Sequence, residues 1–385
     1  MRILSIHNRY QIRGGEDESR ELEERLLRDH GHHVDVYEEH NNRVSSLKMT
    51  QVAVKTIWSQ EAYKKVRQQL QQVPTNLIHV QNFFPLISPS VYYAAQHEGV
   101  PVVQTLRNYR LLCPNGLFFR EGKVCEDCLD KLIPYPGVIH RCYRKNFAAS
   151  SVTAGMLTVH RMLRTWIKQV NMFIAISQFA RNKFIEAGFP PDKILVKPNF
   201  VHPDPGLGEG RENYALFVGR LSTEKGLDTL LSAWQMLKTP ITLKIVGDGP
   251  LAPEVINATN TMPNVEWLGR KPMKEVYQLM GDAMMLIFPS KWYETFGRVA
   301  VEAFAKGTPV IAANIGAIAE LVEDQRTGLH FSPGNSKDLA DKVEWFLTHP
   351  TERQTMRQEA RQAFLAKYTA EQNYQMLQSI YQKLT

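Results

Sequence analysis

Two glutamates near the carboxyl end, Glu294 and Glu302, stand eight positions apart in WYETFGRVAVEAFAKGTPVIA. An ionised carboxylate only accepts hydrogen bonds, so such a pair suits ligand hydroxyls. The run from Val299 to Lys306, closed by Gly307, reads as a helix, and Thr-Pro-Val-Ile-Ala reads as a short buried strand. Glu302 then lies within the helix and Glu294 in the loop that feeds it. The backbone N–H groups of Thr295, Phe296 and Gly297 fall at the helix start, a natural place to hold phosphate oxygens. A hydroxyl-bearing anion suits this corner. Helix capping and a solvated helix face are the structural alternative.

Cations of the right kind occur upstream. In FVGRLSTEKGLDTLL, Gly219 and Arg220 follow a strand and Lys225 precedes the next helix. Two cations there can neutralise a diphosphate leaving group, or serve as solvated surface charges. The loop NRYQIRGGEDES places Gly14 and Gly15 before an acid-opened helix. It resembles a phosphate-cradling turn without the spacing of a dinucleotide fingerprint.

Cys113, Cys125, Cys128 and Cys142, the only cysteines, fall in one thirty-residue window. In a reducing compartment they fit a four-thiolate zinc site better than two disulfides, although only one true CxxC is present; free packed thiols are the alternative. His32 and His33 follow a helix-ending glycine and read as turn and strand-edge residues. Trp292 and Tyr293 read either as walls of a sugar pocket or as core anchors.

These residues need elements to position them. RILSIH, a helix from about Glu16 to Asp29, HVDVY, a helix through Trp58 and Tyr63, LIHVQ and VPVVQTL alternate in a βαβα rhythm. After the Pro- and Gly-rich FVHPDPGLGEGREN a second series begins: YALFVG, a helix from Leu227 to Leu237, ITLKIVG, NVEWLG, MLIFP, PVIAA and GLHF. The pattern predicts two doubly wound domains, 1–204 and 205–365, with a helix in 366–385 returning to the first. Ligands of such sheets collect at the carboxyl ends of the strands, which points to a cleft between the domains.

Length and 43% hydrophobic content allow a large core and exclude disorder. No stretch has the roughly 18 apolar residues of a membrane span, and the N-terminus runs straight into a strand instead of a signal peptide. A cytoplasmic chain is expected, with peripheral contact at the inner face of the membrane as a further option. The formal charge of +7 suits anionic lipid, acidic substrates or nucleic acid, and equally an ordinary basic surface.

FVGRLSTEKGLDTLL, LKIVGDGP, VEWLGR and ETFGRVAVEAFAKGTPVIAA resemble, in order and spacing, the carboxyl-terminal domain of family-four retaining glycosyltransferases of the GT-B fold. GGEDES, LRNYRLLCPNG and FIAISQFARNKF resemble the amino-terminal half more weakly. The resemblance implies transfer of a sugar from a nucleotide-diphosphate donor to a carbohydrate or lipid-linked acceptor, with no cofactor required for catalysis and no nucleic acid as partner. It assigns Glu302 to the ribose hydroxyls and Glu294 to the transferred sugar. Arg220, Lys225 and the amides of Thr295, Phe296 and Gly297 would hold the diphosphate, and Gly15, beside Gly14, would let backbone approach the same phosphates. Base contacts fall near Gly247 and Arg270.

One departure concerns TLRNYR. Many members have a histidine where this chain has Arg107, which cannot act as a base at neutral pH but can bind an anionic sugar, phosphate or acceptor. Salt bridges that fix the loop are the alternative for Arg107, Arg110 and Arg120. Three rival functions remain: a donor-binding protein with lost activity, a nucleotide-sugar epimerase on the same fold, and a two-carboxylate hydrolase. The loop position of Glu294 beside phosphate donors disfavours the last.

Overall fold

The computed structural model describes residues 1–385. The chain divides into two compact units: Met1–Phe118, Cys125–Pro198 and Asn373–Thr385 form the first, and Phe119–Val124 with Asn199–Gln372 the second. The passage between them thus falls at Pro198, six residues before the expected boundary, and the return falls inside the last helix, Ala370–Gln382.

Strands of the first unit are β1 (Arg2–Arg9), β2 (His33–His40), β3 (Leu77–Asn82) and β4 (Val102–Leu106). The hairpin β5 (Phe119–Arg120) and β6 (Lys123–Val124) follows, then β7 (Met172–Ala175) and β8 (Ile194–Val196). The main sheet is ordered β2-β1-β3-β4-β7-β8, and every pairing is parallel. β3 and β4 are buried along their whole length, as expected of strands covered on both faces. The last helix supplies Leu377, Ile380 and Tyr381 to the same core as Ile3, Leu27, Leu77, Val103 and Ile174. The expected single helix through Trp58 is two, Met49–Ile57 and Gln60–Gln72. Trp58 is extended between them, and the Ser59 hydroxyl accepts the Ala62 N–H to open the second.

The second unit contains β9 (Tyr214–Val218), β10 (Thr242–Val246), β11 (Val265–Gly269), β12 (Met285–Phe288), β13 (Val310–Ala313) and β14 (Gly328–Phe331). Its parallel order is β11-β10-β9-β12-β13-β14. Numbered within the unit this is 3-2-1-4-5-6, the doubly wound order whose strand sequence reverses between β9 and β12. In the first unit the reversal lies between β1 and β3. In each unit taken by itself, this is the point at which doubly wound sheets bind ligands outside the strands' carboxyl ends.

Candidate active site

In the second unit, the segments leaving β9 and β12 are tied together. Gly226 has φ +71, and a Cβ there would lie 1.9 Å from the Pro289 carbonyl oxygen, so only glycine permits this approach. Lys291 N donates to the Glu224 carbonyl at 2.9 Å, and its Nζ pairs with Asp228 at 2.6 Å. Lys225, next to Gly226, is thereby delivered to Glu294. Its Nζ lies 2.5 Å from Oε1, an atom that also accepts from Ser290 Oγ and Trp292 Nε1, both at 2.9 Å. Glu294 is buried, and two neutral donors plus one cation offset its desolvation. Trp292 is therefore a ligand of this carboxylate and not merely a core anchor.

The loop then passes through Thr295 and Phe296 to Gly297, which caps the helix Arg298–Ala305 with φ +105. A side chain at Gly297 would also press on Ile318 and Leu321. The helix begins one residue earlier than the sequence suggests. Glu302 is buried in it and forms an ion pair with Arg298 at 2.8 Å. Gly219 and the exposed Arg220 follow β9 directly. On neighbouring strands, Gly247 N donates to the Gly269 carbonyl at 2.8 Å, bringing together the ends of β10 and β11 that bear Gly247 and Arg270. Arg270 is exposed and lies 3.7 Å from Asp248.

In the first unit, Gly14 caps the helix Gly15–Asp29 in an extended conformation. A Cβ on Gly14 or Gly15 would meet no protein atom within 4 Å, so neither backbone geometry nor packing requires glycine there. The turn is held from beneath by Asp17, which accepts the Gly14 N–H at 3.1 Å and meets His7 Nε2 at 2.7 Å. Burial would raise the Asp17 carboxyl, but the hydrogen bonds from His7 and Gly14 hold it below its ordinary value. His7 and Asp17 escape motif reading because ten residues and a turn separate them.

Arg107 is drawn into a buried network. Its Nε donates to Gln81 Oε1 at 2.8 Å and its Nη2 lies 4.0 Å from Glu23, whose carboxylate receives Lys197 Nζ at 2.7 Å. His79 stands between Tyr381 Oη at 2.6 Å and Thr105 Oγ1 at 2.7 Å. Burial alone would raise Glu23, but Lys197, His79 and Arg107 hold it at about 2. Burial pushes His79 down to about 4. This is the loop-fixing role open to Arg107, although Arg107 also lines a small hollow with Asn82, Phe84, Asn108 and Arg110. Arg110 itself stacks over Phe84 and Tyr143.

The four cysteines of the expected zinc site gather around Cys128, whose thiol feels Cys113, Cys142 and Cys125, but not in the arrangement of a formed metal site. All are free thiols, and no three His, Cys, Asp or Glu side chains form a group that could hold a metal ion. Cys113 Sγ donates to Asn115 Oδ1 at 3.0 Å. Burial, reinforced by the neighbouring Cys113, Cys142 and Cys125, pushes the Cys128 thiol up to about 12, so binding zinc there would release its proton.

A domain pair of this topology is the GT-B architecture. An Anabaena protein solved with UDP, and separately with UDP-glucose, superposes with a TM-score of 0.72 over 100% of both chains, at 19% and 18% identity. Sucrose-phosphate synthase from Thermosynechococcus elongatus gives 0.72 at 18% identity, over 100% of this chain and 98% of that one. The model for glycosyl transferases group 1 matches residues 203–363, and that for glycosyltransferase family 4 matches residues 19–205. The chain belongs to this glycosyltransferase family. An uncharacterized glycosyltransferase of Methanocaldococcus jannaschii is 31% identical over 214 residues, 55% of this chain and 59% of the relative. The chain thus matches about three fifths of that relative's length. No helix is long and apolar enough to cross a membrane.

Proposed function

We propose that the chain is a retaining glycosyltransferase of hexosyltransferase type, moving a sugar from a nucleotide-diphosphate donor to a carbohydrate or lipid-linked acceptor. The observation that carries this reading is the delivery of Lys225 onto buried Glu294 where β9 and β12 diverge, one loop from Glu302. In the family, that position receives the donor. Glu302 accepts hydrogen bonds from the ribose hydroxyls, and Glu294 accepts them from the transferred sugar. Arg220 and Lys225 stabilise the charge that grows on the leaving diphosphate, assisted by the amides of Thr295, Phe296 and Gly297. Gly247 and Arg270 face the base. The Gly14–Gly15 turn leaves room for phosphate oxygens against backbone. No resident metal enters this scheme, because the cations are side chains.

UDP is the donor nucleotide favoured by the Anabaena neighbour's complexes. A thermal-shift comparison of UDP, GDP and ADP tests this, since a ligand at a hundred times its dissociation constant adds about 2.7 kcal/mol. Release of nucleoside diphosphate that is faster with an added acceptor than with water separates transfer from donor binding alone. A panel in which none of the three nucleotides shifts the melting temperature removes the proposal.

A further inference from the structure

From Lys131 to Ile185 the chain contains no aspartate or glutamate, while Lys131, Arg141, Arg144, Lys145, Arg161, Arg164 and Lys168 crowd its first two thirds. Eight of the chain's eighteen exposed large apolar side chains fall between Leu132 and Leu163, about one twelfth of the length. Leu132, Ile133, Ile139, Phe147, Met162 and Leu163 are each more than half exposed. Scattered surface hydrophobes need no explanation, but a concentration among so many cations, with Asp130 3.5 Å from Lys131 at its edge, does.

Two further features show that this is one organised surface. Arg161, on the helix Phe147–Met162, donates to the carbonyls of Lys131 and, at 2.9 Å, Leu112. That clamp holds the start of the segment against the end of the helix, and Leu132 and Arg164 line one hollow with Trp166. Tyr143 N donates to Ser150 Oγ at 3.0 Å, securing the other end of the segment to the helix's first turn. Moreover, Arg141, Arg144, Lys145 and Arg164 all have φ between +49 and +55, half of the chain's non-glycine residues in that region. Such residues cost on the order of 1–3 kcal/mol each and persist where a surface has a task.

We propose that residues 131–168 form a docking face for an anionic lipid bilayer. Aliphatic side chains gain by leaving water for the headgroup–acyl boundary, and basic side chains gain from the negative surface potential. The two signals together give reversible attachment without a spanning helix. A nucleic acid would satisfy the cations but offer little to Leu132, Ile133, Ile139 and Met162. This deepens the transferase reading only in where the acceptor would be met, and its test requires no activity.

The full-length chain is sedimented with vesicles of phosphatidylcholine alone or mixed with phosphatidylglycerol, at low and high salt. It should pellet with the mixed vesicles, be released by salt, and stay in solution with phosphatidylcholine alone. Arg144→Gly with Lys145→Gly removes two charges at positions whose backbone favours glycine. This pair should keep the parent's melting temperature and UDP-induced shift but lose roughly thirtyfold in vesicle affinity, at about 1 kcal/mol per cation. Leu132→Ser with Ile133→Ser should weaken binding at unchanged charge. Failure to pellet with anionic vesicles at low salt overturns the inference, as do two variants that pellet like the parent. Capture of an oligonucleotide with no affinity for vesicles also overturns it. A missing UDP shift alongside intact vesicle binding would remove only the transferase reading.

Discussion

Lys225 Nζ lies 2.5 Å from Glu294 Oε1, so the cation proposed for the diphosphate and the carboxylate proposed for the sugar neutralise each other in the unliganded chain. Donor binding must exchange this pair for contacts with the ligand. Neither group then faces water alone before or after the exchange. Lys225→Ala and Glu294→Ala should couple: in a double-mutant cycle read by thermal unfolding, the interaction should be on the order of 1–2 kcal/mol. Additive losses would show that the pair contributes nothing in solution.

The two carboxylates should separate by ligand. Glu302→Ala is expected to weaken UDP and the intact donor alike, each by at least about tenfold, because the ribose is common to both. Glu294→Ala should leave UDP affinity within about threefold and weaken only the sugar-bearing donor or its turnover. Isothermal titration with UDP and UDP-glucose reads the difference; equal losses in both mutants would refute the division of roles.

Gly15→Ala tests the first unit's turn. No protein atom crowds the new methyl, and alanine at a first helical position should leave stability unchanged or raise it by about 0.4–1 kcal/mol. Donor turnover should nonetheless fall, because the methyl occupies space required by a phosphate. A variant that is both stable and fully active would separate this turn from the donor.

Acid sensitivity should trace to the network around Glu23. His79 is held at about 4, below its ordinary 6.5, so the unfolded chain takes up its proton first as pH falls. Its contribution is complete above 6.5 and is lost on descending to 4, roughly 3 kcal/mol in all. Glu23, held at about 2 against an ordinary 4.5, acts in the same direction between 4.5 and 2. Denaturant unfolding followed against pH should show a steep decline below 6.5 that flattens over the upper window in His79→Gln.

Thiol reactivity should follow exposure. Cys125 and Cys142 are half-buried while Cys113 and Cys128 are buried. A thiol reagent at neutral pH should therefore label the first two rapidly and Cys128 last, without prior removal of metal by a chelator. Four thiols that become reactive only after chelation would instead establish the zinc site.

Strand and helix placement was largely legible, because LIHVQ, YALFVG and MLIFP are apolar runs bounded by turn residues. β7 and β8 were less so, being four and three residues long. The Trp58–Ser59 break was invisible to periodicity, since both flanking helices continue an amphipathic pattern. Glu294, Lys225 and Glu302 were legible as a motif, but their contacts were not: 69 positions separate Lys225 from Glu294, and 174 separate Glu23 from Lys197. Arg107 illustrates the limit, since its type announced anion binding while its partner Gln81 comes from another strand. The cysteines were read from spacing and a reducing compartment, and neither reveals that the Cys113 thiol donates to Asn115.

The helix Ala370–Gln382 places Leu377, Ile380 and Tyr381 in the core built on Ile3, Leu27 and Leu77. Tyr381 also closes over His79, and Asn373 closes over Lys197. During synthesis the ribosome makes β1 long before this helix. The half of the protein that is translated first therefore waits with an uncovered apolar face and an unsheltered charge network. The intervening half, essentially continuous from Asn199 to Gln372, can complete its own core in the meantime. A nascent chain stalled before Tyr381 should resemble a folded second unit joined to a loosely held first one, with protease resistance arriving in that order.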